Sequence, residues 1–136
     1  ISSNVDFAIK ESTYMEKLID MMDSGIHEAF PIIWRIATAP ESFDYLSNNF
    51  ISTSDNSNCK ITLMQKMVKC LLSFSECELH ELIIDIFQSI SICKEGKKAL
   101  KNEGVDEYLN ERLNEASDED SLRLIYVKIL SRLKNV

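Results

Sequence analysis

Three segments of this chain align as near-copies of one apolar helix face, and that repetition constrains the fold more than any other feature. Laying 26–37, 79–90 and 122–133 over one another brings six positions into register. They read Ile26/Leu79/Leu122, Ala29/Leu82/Ile125, Phe30/Ile83/Tyr126, Ile33/Ile86/Ile129, Trp34/Phe87/Leu130 and Ala37/Ile90/Leu133. All eighteen residues are apolar, at the three-and-four spacing of one helix face. Flanking residues agree as well. Ile26-His27-Glu28 recurs as Leu79-His80-Glu81, and Glu41…Leu46-Ser47-Asn48 recurs as Glu95…Leu100-Lys101-Asn102. The copies are offset by 53 and 43 residues, and a ten-residue polar insertion at 51–60 accounts for the difference. A period near 43 is that of stacked two- or three-helix repeats, in which each unit buries its apolar face against its neighbours.

The 136 residues suit one domain, expected over 1–136. Only three Gly and two Pro are present, too few for the turns of a many-stranded sheet or for a Gly-rich phosphate loop. The net charge of −7 argues against a nucleic-acid binder and against attachment to anionic lipid. No run of eighteen apolar residues exists, so membrane insertion is not expected. The chain opens on Ile1 without a signal-peptide pattern and closes on Val136 within a helical pattern, which points to a piece of a larger, eukaryotic protein. Cys59, Cys70, Cys77 and Cys93 read as reduced thiols, hence an intracellular setting, cytoplasmic or nuclear.

Local signals place the helices. Thr13 and Glu16 form a capping box ahead of Met15, Leu18, Ile19 and Met22, and Asp23-Ser24-Gly25 ends that helix. The next spans 26–38 and stops at Pro40; Pro31 inside it removes a backbone donor and predicts a kink. A short amphipathic piece covers 41–49. Eight of residues 51–60 are Ser, Thr, Asn, Asp or Lys, so this stretch reads as a solvated, mobile loop. Further helices are expected at 61–74, 78–92, 94–103, 105–116 and 118–134, with Gly104 as a C′ residue and Ser117 as an N-cap. The class is all-α.

The run Glu95-Gly96-Lys97-Lys98-Ala99-Leu100-Lys101-Asn102-Glu103-Gly104-Val105-Asp106-Glu107-Tyr108-Leu109 resembles the first-to-second helix junction of an armadillo repeat. Leu109…Leu113-Asn114-Glu115-Ala116-Ser117-Asp118-Glu119-Asp120 resembles the second helix and its polar turn, and Ile129-Leu130-Ser131-Arg132-Leu133 the close of the third. The resemblance to the armadillo family (armadillo/HEAT-like) implies a right-handed superhelix of about three repeats, near 12–50, 61–104 and 105–136. It makes 15–22 and 63–73 second helices, and 26–38 and 79–92 third helices. Two departures stand out. The Asn that many members carry late in the third helix, to grip an extended peptide backbone, is replaced by Ile36, Ser89 and Arg132. That does not imply binding in the style of a nuclear-import receptor. Asn49-Phe50 also stand where the first copy lacks the glycine.

Of the residues with chemistry, Cys77-x-x-His80 with Cys70 could be read as three zinc ligands, with Cys59 as the one candidate for a fourth. Part-buried thiols beside a helix-start His explain them, so no cofactor or metal is expected. His27 and His80 share a repeat position, which a structural or groove-lining role explains without catalysis. Trp34, Phe30 and Phe87 are expected in the core. Lys94, Lys97, Lys98 and Lys101 share one helix side, a possible dock for an acidic or phosphorylated segment. Eight acids between Glu103 and Asp120 (103, 106, 107, 111, 115, 118, 119, 120) form an edge that could meet a basic helix.

The resemblance implies a concave face lined by third helices. Non-core positions there are Arg35, Asp85, Gln88, Ser89, Lys128 and Arg132, with Ile32, Ile84 and Val127 as apolar contacts. The expected function is a non-catalytic scaffold or adaptor that binds a peptide or helix of another protein, or a segment of its own parent chain. Replacing Arg35 and Arg132 is expected to weaken binding and leave melting unchanged. The alternatives are a self-association module, as a homodimer, and a small helical Cys/His enzyme.

Overall fold

Apolar residues three and four apart can share one surface only if the backbone turns at 3.6 residues, and each of the repeated segments does so. The computed structural model describes residues 12–53, 56–74, 78–134 and 136, and the side chains of these apart from 12, 13 and 52–59. Its helices are α1 (Ser12–Asp23), α2 (Ala29–Ala37), α3 (Phe43–Asn48), α4 (Leu63–Ser73), α5 (His80–Ile90), α6 (Lys94–Asn102), α7 (Val105–Glu115) and α8 (Arg123–Leu133). A 3-10 turn at Pro40–Ser42 precedes α3, and one antiparallel pair joins β1 (Phe50–Thr53) to β2 (Asn56–Thr62). The fold is mainly α-helical.

Equivalent helices pack on one another at the repeat interval. α2 lies on α5 and α5 on α8; α1 lies on α4, and α3 on α6. Helices adjacent in the chain also pack, α1 on α2, α3 on α4, and α6 on α7 on α8. The core follows the alignment. Ile33, Ile86 and Ile129 are fully buried, as are Phe30, Ile83, Ala37 and Ile90, with Tyr126 and Leu133 almost so. They belong to one continuous apolar cluster running from Met15 to Leu133.

Two glycines close helices with left-handed backbone. At Gly25 (φ +86°) the amide donates to the Met22 carbonyl at 2.9 Å, and the next amide, of Ile26, donates to Met21 at 3.0 Å. Those paired bonds are the usual two-carbonyl closure of a helix C-terminus. Gly104 (φ +78°) ends α6 as expected, donating to Lys101 at 3.1 Å.

Several expectations are corrected. α2 starts at Ala29, so Pro31 falls in its first turn, where amides have no intrahelical acceptor to lose and no kink follows. Ile26 lies ahead of the helix and is 40% exposed. The last helix begins at Arg123, because the Asp120 carboxylate accepts the Leu122 amide at 2.9 Å and holds 117–122 in turns. Ser117 is therefore not an N-cap. α1 begins at Ser12, and the capping side chain of Thr13 lies outside the described residues.

Where the sequence predicts a loop at 51–60, Phe50–Thr53 and Asn56–Thr62 form a β-ribbon. Phe50 pairs with Thr62, Ile51 with Ile61 and Ser52 with Lys60, and the register then shifts to Thr53 opposite Asn56. Ladder bonds are made by the backbone, so polar side chains do not forbid them, and the β-branched Ile51, Thr53, Ile61 and Thr62 favour extended φ/ψ. The Asn49 carbonyl accepts from the Leu63 amide at 2.8 Å, which ties the ribbon's base to the start of α4. Residues 54 and 55 lie outside the described residues. An isolated two-stranded ribbon is marginal in water. Replacing residues 52–59 by a two-residue turn is therefore expected to change stability by less than about 1 kcal/mol, read as a thermal melt.

Candidate functional site

α2, α5 and α8 stand side by side, and the side chains that do not enter the core line an open groove of about 290 Å³. Its walls are Thr38 after α2, Asp85, Gln88 and Ser89 on α5, Ile92 after α5, and Lys128 and Arg132 on α8. Five of the six polar residues expected on this face thus come together. Arg35 does not join them; it is exposed on α2 outside the groove's lining. Of the apolar contacts expected there, Val127 is exposed and Ile32 part-buried, but Ile84 is fully buried. α5 is packed by α2, α4, α6 and α8, so less of its circumference is left open than on α2 or α8.

Trp34 is a correction with functional weight. It aligns with the buried Phe87, yet it is 37% exposed, and its indole N–H donates to Asp85 Oδ2 at 2.6 Å. This bond joins α2 to α5 at the groove edge. An indole N–H needs an acceptor, and Asp85 is the one acid in the 82–92 segment. That pairing of needs was the legible signal.

Arg132 has a structural task. Its Nη1 donates to the Gln88 carbonyl at 2.9 Å and to Ser91 Oγ at 2.8 Å, while Ser91, fully buried, donates to the same carbonyl at 2.6 Å. α8 is thereby fastened to the C-terminal end of α5, where cationic donors complement free carbonyls. Arg132→Ala is therefore expected to lower stability by about 1–2 kcal/mol, against the unchanged melting expected from sequence. Thermal melts of Arg132→Ala and Arg35→Ala, measured side by side, check this; the Arg35 variant should melt like the parent.

The four lysines divide. Lys94, Lys97 and Lys98 surround a hollow of about 500 Å³ together with Ile92 and Val136, and Lys98 Nζ lies 3.8 Å from Glu95. Lys101 points elsewhere, donating to the Leu133 carbonyl at 3.4 Å and lining a separate hollow with Asp106, Asn110 and Lys134. The carbonyl end of α8 attracts its ammonium group. On the acidic edge, Glu103 accepts from Gln65 Nε2 at 3.0 Å and Asp120 shapes a turn, while Glu107, Glu111, Glu115, Asp118 and Glu119 are exposed.

His27 and His80 share a repeat position but not an environment. His80 Nε2 is 2.8 Å from Tyr126 Oη and its Nδ1 is 3.4 Å from Tyr108 Oη, so it links α5 to α7 and α8. His27 is exposed, 3.9 Å from Glu78. Cys77 and the Cys59 side chain lie outside the described residues. Burial, with the Asp23 carboxylate adding to it, pushes the Cys70 thiol up to about 11. Burial also raises Cys93, whose Sγ accepts the Gly96 amide at 3.3 Å at the start of α6. Both thiols stay protonated near neutral pH, the reverse of an activated nucleophile. Among the described residues no group of three His, Cys, Asp or Glu could hold a metal ion, and no helix is long and apolar enough to cross a membrane. Comparison with protein-family models, with curated proteins and with solved structures found no match to this chain.

Proposed function

We propose that the chain is an armadillo-type module of about three repeats in a right-handed superhelix. It acts without catalysis, as an intracellular scaffold or adaptor that holds a segment of another protein, or of its own parent chain, in the groove of α2, α5 and α8. The observation that carries this reading is the groove itself. Equivalent helices stacked at the repeat interval leave one open channel, and Asp85, Gln88, Ser89, Lys128 and Arg132 converge on it from two repeats beside the half-exposed Trp34. A large amphipathic ring next to mixed polar groups is the composition of a binding hot spot.

Site-specific photo-crosslinking in the source cell tests the reading. A benzophenone side chain at Gln88, in the groove, should give a discrete protein adduct. The same group at the exposed Glu111 of α7 should not. Adducts at Glu111 alone would overturn the assignment.

A second reading, self-association, has its own observation. Leu124 and Val127 on α8 are 80% and 46% exposed, one helical turn apart. If they form a dimer interface, sedimentation at high micromolar concentration will show a dimer that Leu124→Asp dissociates. A monomer under those conditions removes this alternative.

A further inference from the structure

We infer that the bound segment is acidic, with an apolar side chain seated on Ile92 and carboxylates on the lysines of α6. The docking surface then turns the corner between α5 and α6 instead of ending in the groove. This rests on the groove reading above and adds the chemistry of the occupant.

Ile92 is the hinge of the argument. It sits in the short connection between α5 and α6 and is 63% exposed. It lines both the groove of about 290 Å³ and the hollow of about 500 Å³ bounded by Lys94, Lys97, Lys98 and Val136. The two hollows share a wall, so the groove and the basic side of α6, which sequence alone offers as rival docking sites, form one continuous track.

Charge chooses the occupant. The chain carries −7, yet Lys94, Lys97, Lys98, Lys128 and Arg132 all border this track. The opposing charges are few. Asp85 is turned to the Trp34 indole at 2.6 Å, and Glu95 lies 3.8 Å from Lys98. In the 136-residue chain the terminal residue Val136 brings one carboxylate to the rim of the lysine hollow. A positive track on a negative molecule is where an acidic chain is held, since the remaining surface repels it. Exposed Ile92 between the two basic sets asks for an apolar residue flanked by acids. Carboxylates then meet ammonium groups on both sides while the apolar pair leaves water.

The test uses the 136-residue chain, labelled with ¹⁵N, and three synthetic nonapeptides: glutamates around a central Leu, the same with Gly for Leu, and the same with lysines for glutamates. The first peptide should give saturable amide shifts at Ile92, Lys94, Lys97, Lys98 and Gln88. Each of the other two should bind at least tenfold more weakly. Ile92→Asp, and Lys97→Glu with Lys98→Glu, should each cost tenfold or more with unchanged thermal melting, because these side chains are at the surface. Shifts confined to Gln88, Lys128 and the Trp34 indole would overturn the acidic extension and leave the groove reading standing. Equal shifts from an oligothymidylate of matching charge would mark a surface for any polyanion and overturn it too. Absence of saturable shifts at millimolar peptide would overturn the inference, with the groove then judged by its own crosslinking result.

Discussion

Ile86→Ala is expected to lower stability by about 2–5 kcal/mol. Ile86 is fully buried in α5, the helix packed by α2, α4, α6 and α8. α5 is hemmed in by four other helices, so the surroundings of a cavity in it have little room to relax. The loss should therefore sit toward the upper part of the range. For a chain of this size it corresponds to a fall in Tm of roughly 8–20 °C. Ile129→Ala offers the comparison, since α8 has a side that carries the exposed Leu124 and Val127 and can relax. Equal losses at the two sites would mean that α5 is not the central layer of the packing.

Gly96→Ala is expected to destabilise by about 1–3 kcal/mol, although helix propensity alone favours Ala by about 1 kcal/mol. Gly96 is buried in the first turn of α6, and a Cβ there would overlap the Ile90 carbonyl at the end of α5. The obstacle is backbone, so no rotamer change can relieve it. α5 and α6 would have to separate at the corner where the Cys93 amide also bonds Ile90, at 3.3 Å. The overlap outweighs the propensity gain, and the sign follows. Gly104→Ala is the control, because a Cβ there meets open space and only the left-handed backbone (φ +78°) is strained. Denaturant titrations of the two variants should give the larger loss at Gly96. A stabilised Gly96→Ala would mean that α6 does not approach α5 this closely.

Residues whose fate depends on their own helix face were legible. The burial of Ile33, Ile86 and Ile129 follows from spacing, because a 3.6-residue period puts them on the same side of successive helices whatever those helices pack against. Gly104 was legible for a similar local reason, since a left-handed closure favours glycine. The ends of elements were harder to read. The Asp120 turn outcompeted Ser117 as the start of α8, and Pro31 landed in a first turn where it costs nothing; both outcomes turn on a shift of three to five residues. Polar composition hid the ribbon at 50–62, whose bonds are carried by the backbone and anchored at Asn49 and Leu63.

By itself, then, the sequence determined the helical class and most of the core positions, Ile26 and Trp34 apart, because each rests on periodicity within single segments. Only the tertiary structure decided how the groove is furnished. Trp34 turns outward to meet Asp85, which lies fifty-one residues on. Arg132 spends its guanidinium on the end of α5, forty-four residues before it at Gln88. Ile92 becomes the shared wall of two hollows once α6 folds back against α5 and α8 closes the far side. Such contacts join residues from different helices. A side chain's partner there is set by how the layers stack, and no spacing within one helix encodes that distance.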